Sequence, residues 1–456
     1  MTWFNRLSAT WRYLIIGVAA VAVIGAAAFW WIVLGPGPTA FAGGSRVALA
    51  DYHEANPTGV PAALAHASLI ARGEYLARAA DCQACHTAKG GVPFAGGLAF
   101  VLPFGTIYSA NITPDQDTGI GSWSDGAFLG ALHKGVDDEG EPLYPAMPFA
   151  SYSGMTDADA LAIKAYLFSL KPVRAEAPPN RLSFPFNQRW LIGVWTFFFN
   201  ADKRFAPNTA RSAQWNRGAY LSENLAHCGE CHTPRNVAFA LDNRRKFAGA
   251  LQAGWRAYNI TGDKDSGVGA WNASELAQYL SLGHADGRGT AAGPMGEAVD
   301  ASLKYLTPED VAAIVAYLQS VPPASSSDLP APNQTPAPAS HRLGVVADFD
   351  PRGKALFAGA CASCHAWTGV SPLMRYATLT GARAVNDPSA TNVAQIVIRG
   401  MVRDTPHGKV IMPAFGASFS DAEVAAVANY VTARFGAKAS SITRKGVAAL
   451  RQQSAQ

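Results

Sequence analysis

Charge is scarce in this sequence and neither sign dominates. Only 15% of its 456 residues are Asp, Glu, Lys or Arg, and 37 bases against 33 acids leave a formal net charge of +4. No basic run is interleaved with aromatics, the pattern a nucleic-acid surface shows, so nucleic acid is not expected as a partner. Cysteine is scarce as well. The chain has six, and all six fall into three identical patterns, leaving none for a disulfide framework or a separate nucleophile. Long apolar runs are also missing, with one exception at the N-terminus. Tyr13–Leu34 carries no charge.

The three cysteine patterns are Cys82-Gln-Ala-Cys85-His86, Cys228-Gly-Glu-Cys231-His232 and Cys361-Ala-Ser-Cys364-His365. C-x-x-C-H is the attachment signature of a c-type haem. Two thiols on one turn of backbone can each form a thioether with a porphyrin vinyl group. The histidine that follows then reaches the iron from one face. Rival readings fit less well. A structural zinc site draws its ligand pairs from nearby sequence, and these pairs lie far apart. A redox dithiol has no need of the histidine. Three covalently bound haem c groups are therefore expected.

Covalent haem attachment places these domains outside the bacterial cytoplasm, and the N-terminus agrees. Arg6 and Arg12 precede the apolar run with no acid among them, which predicts a cytoplasmic N-terminus. About 20 apolar residues suffice for a helix to cross a bilayer. Trp30 and Trp31 suit the far interface, and Gly35-Pro36-Gly37-Pro38 stops the helix. Ala40-Phe41-Ala42 would also serve as a signal-peptidase site. However, the run is longer than the roughly 7–15 residues of a signal core, so a retained anchor over residues 1–42 is expected in the inner membrane, with the bulk of the chain periplasmic.

The remainder repeats. Unit one holds Gly73-Glu-Tyr-Leu76, the first motif, NITPDQDTGIGSW (Asn111–Trp123) and TDADALAIKAYLFSL (Thr156–Leu170). Unit two holds Gly218-Ala-Tyr-Leu221, the second motif, NITGDKDSGVGAW (Asn259–Trp271) and TPEDVAAIVAYLQSV (Thr307–Val321). Unit three holds Gly353-Lys-Ala-Leu356, the third motif and SDAEVAAVANYVTARF (Ser420–Phe435). Each final segment opens with Ser or Thr followed by acids, a capped helix start, and continues with apolar residues at helical spacing. The expected fold is all-α: three tandem cytochrome c domains, at 66–174, 211–322 and 347–437, behind one transmembrane helix. Residues 175–210 form an aromatic connection. Residues 323–346, rich in Pro, Ser and Ala, should be extended and exposed. The tail, 438–456, reads as either helix or disorder.

An electron carrier keeps its iron six-coordinate, and Met opposite His is a common pair. Each unit offers a methionine between its motif and its last helix: Met147, Met295 and Met412. Met155 competes in the first unit, and Met374 and Met401 in the third. Met155 opens a helical cap and is expected to pack. His133, His284 and His407 are further rivals. Trp123 and Trp271 could donate to a haem propionate or simply pack. FPFNQRWLIGVWTFFFN (Phe184–Asn200) is too short to span a membrane. It reads either as a segment lying on a membrane interface or against a partner, or as a helix buried between two haem units.

Over nearly all of Ala71–Gly436 the sequence resembles the trihaem cytochrome c subunits of membrane-bound dehydrogenases from acetic acid bacteria and related proteobacteria. The likeness rests on the three motifs in order, on Ala95–Trp123, on LYPAMPF (Leu143–Phe149), and on ARSAQWNRGAYL (Ala210–Leu221) leading into HCGECHTPRN (His227–Asn236). The resemblance implies a subunit that takes electrons from a dehydrogenase catalytic subunit and passes them to ubiquinone, with no substrate-converting site of its own. By the same carry-over the six cysteines bind haem, His86, His232 and His365 are proximal ligands, and Met147, Met295 and Met412 are distal. The uncleaved-looking anchor and LSFPFNQRWLIGVW (Leu182–Trp195) are most similar to the aldehyde dehydrogenase branch, in which a molybdopterin subunit works with a small iron–sulfur subunit. Quinoprotein alcohol dehydrogenase and flavoprotein gluconate or sorbitol dehydrogenase subunits come next. A cytochrome feeding a terminal oxidase and a stand-alone haem enzyme are the other function classes; the second would need an open iron position.

Overall fold

Three times in the chain a glycine lets one helix cross another at van der Waals distance, and this crossing organises the molecule. The computed structural model describes residues 8–30, 45–54, 57–338, 350–406 and 408–454. The opening helix of each unit is Leu69–Ala79, Ala213–Tyr220 or Pro351–Leu356, and the closing helix is Asp157–Ser169, Pro308–Ser320 or Asp421–Phe435. A Cβ on Gly73 would sit 1.9 Å from the carbonyl oxygen of Ala162; on Gly218, 1.9 Å from that of Ala313; on Gly353, 2.3 Å from that of Ala426. Only glycine permits such an approach. The closing helices start where their sequences predict. Thr156, Thr307 and Ser420 each accept from the backbone N–H three residues on.

The units differ in what that third residue does. In unit three, Glu423 completes an exposed capping box with Ser420. In units one and two it is a buried aspartate facing the other unit. Asp159 accepts from Arg72 at 2.5 Å within its own unit and from Tyr220 Oη at 2.7 Å across the boundary. Asp310 accepts from Arg217 at 2.8 and 2.6 Å within its unit and from Tyr75 Oη at 2.5 Å across it. The two ties are reciprocal, each tyrosine coming from the opening helix of one unit and each aspartate from the closing helix of the other. Unit three has Ala355 at the tyrosine position, and among the described residues no tie of this kind.

Units one and two share one continuous apolar core, from Tyr75 and Leu76 through Tyr220 and Leu225 to Tyr317 and Val321. Unit three has its own, built on Phe357, Val424, Tyr430 and Phe435. The tail belongs to that second core: Arg444–Ser454 is a helix, and Val447 and Leu450 are buried in the cluster. The expectation of an all-α chain also needs correction. Short antiparallel hairpins occur in every unit, including Ala99–Leu102 with Gly105–Tyr108, Ala250–Gln252 with Trp255–Ala257, and Met401–Thr405 with Gly408–Met412. They are three to five residues long, too short for an alternating pattern to stand out in sequence.

The Pro-rich connection is extended but pinned. Asn259 donates to Ala324 O at 2.6 Å, Arg383 donates to Pro330 O at 2.7 Å, and Leu329 is buried. Its end at 339–349 lies outside the described residues. The aromatic connection forms a helix, Arg189–Phe199, with no fully buried residue. One side bridges the first two units: Arg189 donates to Pro142 O, Trp195 Nε1 to Ala238 O and Asn200 to His133 O. The other side is open. The N-terminal helix Ala9–Phe29 is 21 residues long and buries none of them. Its last ring, Phe29, packs edge-on to Phe198 at 5.5 Å.

Candidate functional site

Each motif folds into a single helical turn. Cys82–Cys85, Gly229–His232 and Ala362–His365 are four residues each. Cys82 and Cys85 are three apart within one turn and so share its face; Cys228 and Cys361 immediately precede their turns. Burial pushes Cys82, Cys85 and Cys228 up to about 12 and Cys231 and Cys361 up to about 11. Among the described residues no three His, Cys, Asp or Glu side chains gather into a metal cage, which removes the geometric basis for zinc.

The histidines are held in one orientation. His86 Nδ1 donates to Ala110 O at 2.7 Å, His232 Nδ1 to Tyr258 O at 2.6 Å, and His365 Nδ1 to Ala377 O at 2.6 Å. A carbonyl can only accept, so Nδ1 carries the proton and Nε2 is left with its lone pair. Desolvation pushes all three rings below the ordinary histidine range, which keeps them neutral, with the carbonyl bond pulling weakly the other way. A neutral imidazole fixed through Nδ1 to a backbone carbonyl is what an axial metal ligand requires. Paired cysteines, a fixed imidazole and apolar surroundings together fit a covalently held haem.

Sequence reasoning missed those three carbonyls, although a signal for two of them is present. Ala110 and Tyr258 directly precede the repeated Asn-Ile-Thr. Asn111 Nδ2 donates to Val173 O at 2.7 Å, and Asn259 Nδ2 to Ala324 O at 2.6 Å. Asp115 and Asp263 accept from the backbone of Thr118 and Ser266. The repeat is thus a clip that holds the carbonyl strand against the stretch leaving the closing helix. Trp123 and Trp271 are half-buried and pack on the shared core.

The methionines divide unevenly. Met147 lies in the turn before the short helix Phe149–Tyr152 and packs on the shared core. Met295 packs there too, from the first turn of the helix Gly293–Ala301. Met412 ends a strand and packs on the third core, with Met401 as its cross-strand partner on the same face of the hairpin. Met155 is fully buried, as packing requires. Met374 lies on the surface beside an open cleft of about 430 Å³ between units two and three. Both ring nitrogens of His284 are engaged, Nδ1 with Thr290 at 2.8 Å and Nε2 with Asp286 at 3.1 Å. His133 is buried in its helix with Nδ1 3.7 Å from Asp157. His407 lies outside the described residues.

The first two motifs are neighbours. The Cys231 sulfur is near enough to help raise Cys85. Tyr152 of unit one donates to Ala80 O at 2.6 Å and packs edge-on to His227, the residue before Cys228. Units two and three meet through the hairpin that ends at Ala257 and through Tyr258 just after it. Arg256 N–H donates to Asn392 at 2.8 Å, and Tyr258 Oη donates to Asp387 at 3.3 Å.

Residues 70–171 match the family model "Cytochrome c", and residues 350–431 match "Cytochrome C oxidase, cbb3-type, subunit III". Longer matches come from individual proteins. The chain is 39% identical to the fructose dehydrogenase cytochrome subunit of Gluconobacter japonicus, over 87% of its own length and 85% of that protein. It is 38% identical to the gluconate 2-dehydrogenase cytochrome c subunit of Pantoea cypripedii, over 85% and 90%. It is 40% identical to a nicotinate dehydrogenase chain of Pseudomonas putida over 81% of its length, which is 31% of that longer protein.

Proposed function

The chain belongs to the cytochrome c subunits of membrane-bound dehydrogenases, and from that premise we propose that it relays electrons through three haem c groups from a periplasmic catalytic subunit to ubiquinone. The observation that carries the number three is the same local geometry found three times: a one-turn pair of cysteines followed by a histidine whose Nδ1 is tied to a carbonyl. Cys82 with Cys85, Cys228 with Cys231, and Cys361 with Cys364 hold the porphyrins. His86, His232 and His365 present Nε2 to the irons. Met147, Met295 and Met412 would supply a thioether ligand each. The haem itself provides the one-electron chemistry. The protein sets ligand orientation, dielectric and the distance between centres.

Membrane attachment is supported by the apolar N-terminal helix, read as an anchor with the haem units on the periplasmic side. The open side of Arg189–Phe199 supports it as well. Trp190 is 65% exposed and Phe197 80%, and Phe198 of the same helix touches the anchor. An apolar patch continuous with a membrane span suits the interface of the same bilayer.

The finer identity of the partner follows the resemblance: a molybdopterin aldehyde dehydrogenase with a small iron–sulfur subunit. The alternative is a flavoprotein or quinoprotein dehydrogenase of sugars or alcohols, and the fructose and gluconate names of two relatives favour it. The oxidase-type match covers only the third unit. Purification of the tagged chain in mild detergent, with metal analysis and mass spectrometry of the accompanying chains, decides between them. Molybdenum with an iron–sulfur chain supports the first; a flavoprotein or quinoprotein without molybdenum overturns it.

A further inference from the structure

Glu223 is a carboxylate that the repeating pattern does not call for. It lies in the wide turn Leu221–Leu225 that joins the second opening helix to Cys228, and its side chain is 3% exposed. One carboxylate oxygen meets Lys246 Nζ, whose side chain is 4% exposed, and Tyr317 Oη donates to the other. The other units lack this group. Five residues after the crossing glycine stand Arg78 in unit one and Ala358 in unit three. Arg78 turns to the surface and pairs with Glu74. Lys246 precedes Phe247, whose carbonyl accepts from Ile260 N–H; the matching Phe94, which accepts from Ile112 N–H, is preceded by Pro93. One unit of three therefore encloses a buried acid–base pair beside its attachment motif. Burial raises Glu223 above the usual carboxylate range, and Lys246 draws it back. Lys246 stands three residues before Gly249, whose N–H donates to His232 O at 2.8 Å.

A buried charge acts through a low dielectric with little screening. Reduction adds one negative charge to an iron centre, so a nearby ammonium favours it and a nearby carboxylate opposes it. Burial, charge and hydrogen bonding near a haem are among the protein's means of setting its potential. We propose that Glu223 and Lys246 set the reduction potential of the haem held by Cys228, Cys231 and His232 apart from those of the other two. The inference rests on reading the second unit as a haem unit. It makes this pair a tuning device for one step of the relay, with Tyr317 orienting the carboxylate.

The test is a spectroelectrochemical titration of the full-length chain in detergent, resolved into one-electron components. The variant Cys228→Ala/Cys231→Ala identifies the component of unit two by its disappearance. Glu223→Gln leaves the cation and should move that component upward by about tenfold in the reduced-to-oxidised ratio, about 59 mV for one electron. Lys246→Met should move the same component downward, and Glu223→Asp should restore most of the wild-type value. If the component is present and stays in place in both variants, or if all components drift together, the proposal is overturned. If the cysteine variant removes no component, the haem reading of unit two fails instead.

Discussion

The reciprocal ties between units one and two make a quantitative demand on Asp310. Its carboxylate is buried and accepts three hydrogen bonds, two from the Arg217 fork and one from Tyr75 Oη. Asp310→Ala strands a buried guanidinium and a buried hydroxyl together. Arg217 keeps only its bond to Gly59 O at 2.7 Å and a distant one to Pro57 O. Removing one partner of a buried ion pair costs about 3–5 kcal/mol. Tyr75→Phe removes the bond to the charged Asp310 and a longer one accepted from Thr307 N–H at 3.3 Å, and should cost about 1.5–3 kcal/mol. In the Asp310→Ala background the tyrosine substitution should cost clearly less, because the charged acceptor is already gone and only the Thr307 N–H bond remains to lose. The control is Arg352→Met, which breaks the surface pair with Asp350 in unit three and should leave stability unchanged. The assay is equilibrium urea unfolding of the haem-loaded chain, followed by tryptophan fluorescence. The reasoning is refuted if Asp310→Ala is no more destabilising than Arg352→Met, or if the Tyr75 and Asp310 losses simply add.

Further outcomes follow from the same contacts. Gly218→Ala forces a methyl group against the Ala313 carbonyl and should cost at least about 1–3 kcal/mol as overpacking; Gly359→Ala, which meets nothing within 4 Å, should be neutral in the same unfolding assay. Burial and the Arg204 charge push His133 down to about 4. The unfolded chain therefore binds the extra proton between about pH 6.5 and 4, and stability should fall as pH drops through that window. His133→Gln should flatten the fall, read from urea midpoints at several pH values. A photo-crosslinking side chain at Phe197 or Trp190 should give lipid adducts in native membranes, whereas adducts mainly to another polypeptide would show that this face meets a partner protein.

What the sequence reveals depends on distance along the chain. The haem motifs, the helix caps at Thr156, Thr307 and Ser420, and the crossing glycines are local, and each can be read within one turn. The tyrosine–aspartate exchange cannot be read that way. Tyr75 and Asp310 are written like any helix residues, and only the fold shows that each reaches into the other unit. The shared core of units one and two stays hidden for the same reason. Arg444–Ser454 buries only Val447 and Leu450, too little apolar surface to identify a docked helix without its partner. The buried pair Glu223–Lys246 joins residues on separate segments, and neither carries a motif. The connection Pro322–Ala337 is legible as extended but not as pinned, because its acceptors are backbone carbonyls that any residue supplies.

The claim on which the rest depends is that one chain carries three haems in three like units. Intact mass of the purified full-length chain, compared with the mass calculated from its sequence, counts covalent haems directly. The account predicts three, falling to two in each of Cys82→Ala/Cys85→Ala, Cys228→Ala/Cys231→Ala and Cys361→Ala/Cys364→Ala. A wild-type chain with two, or a cysteine-pair variant that loses none, would contradict it.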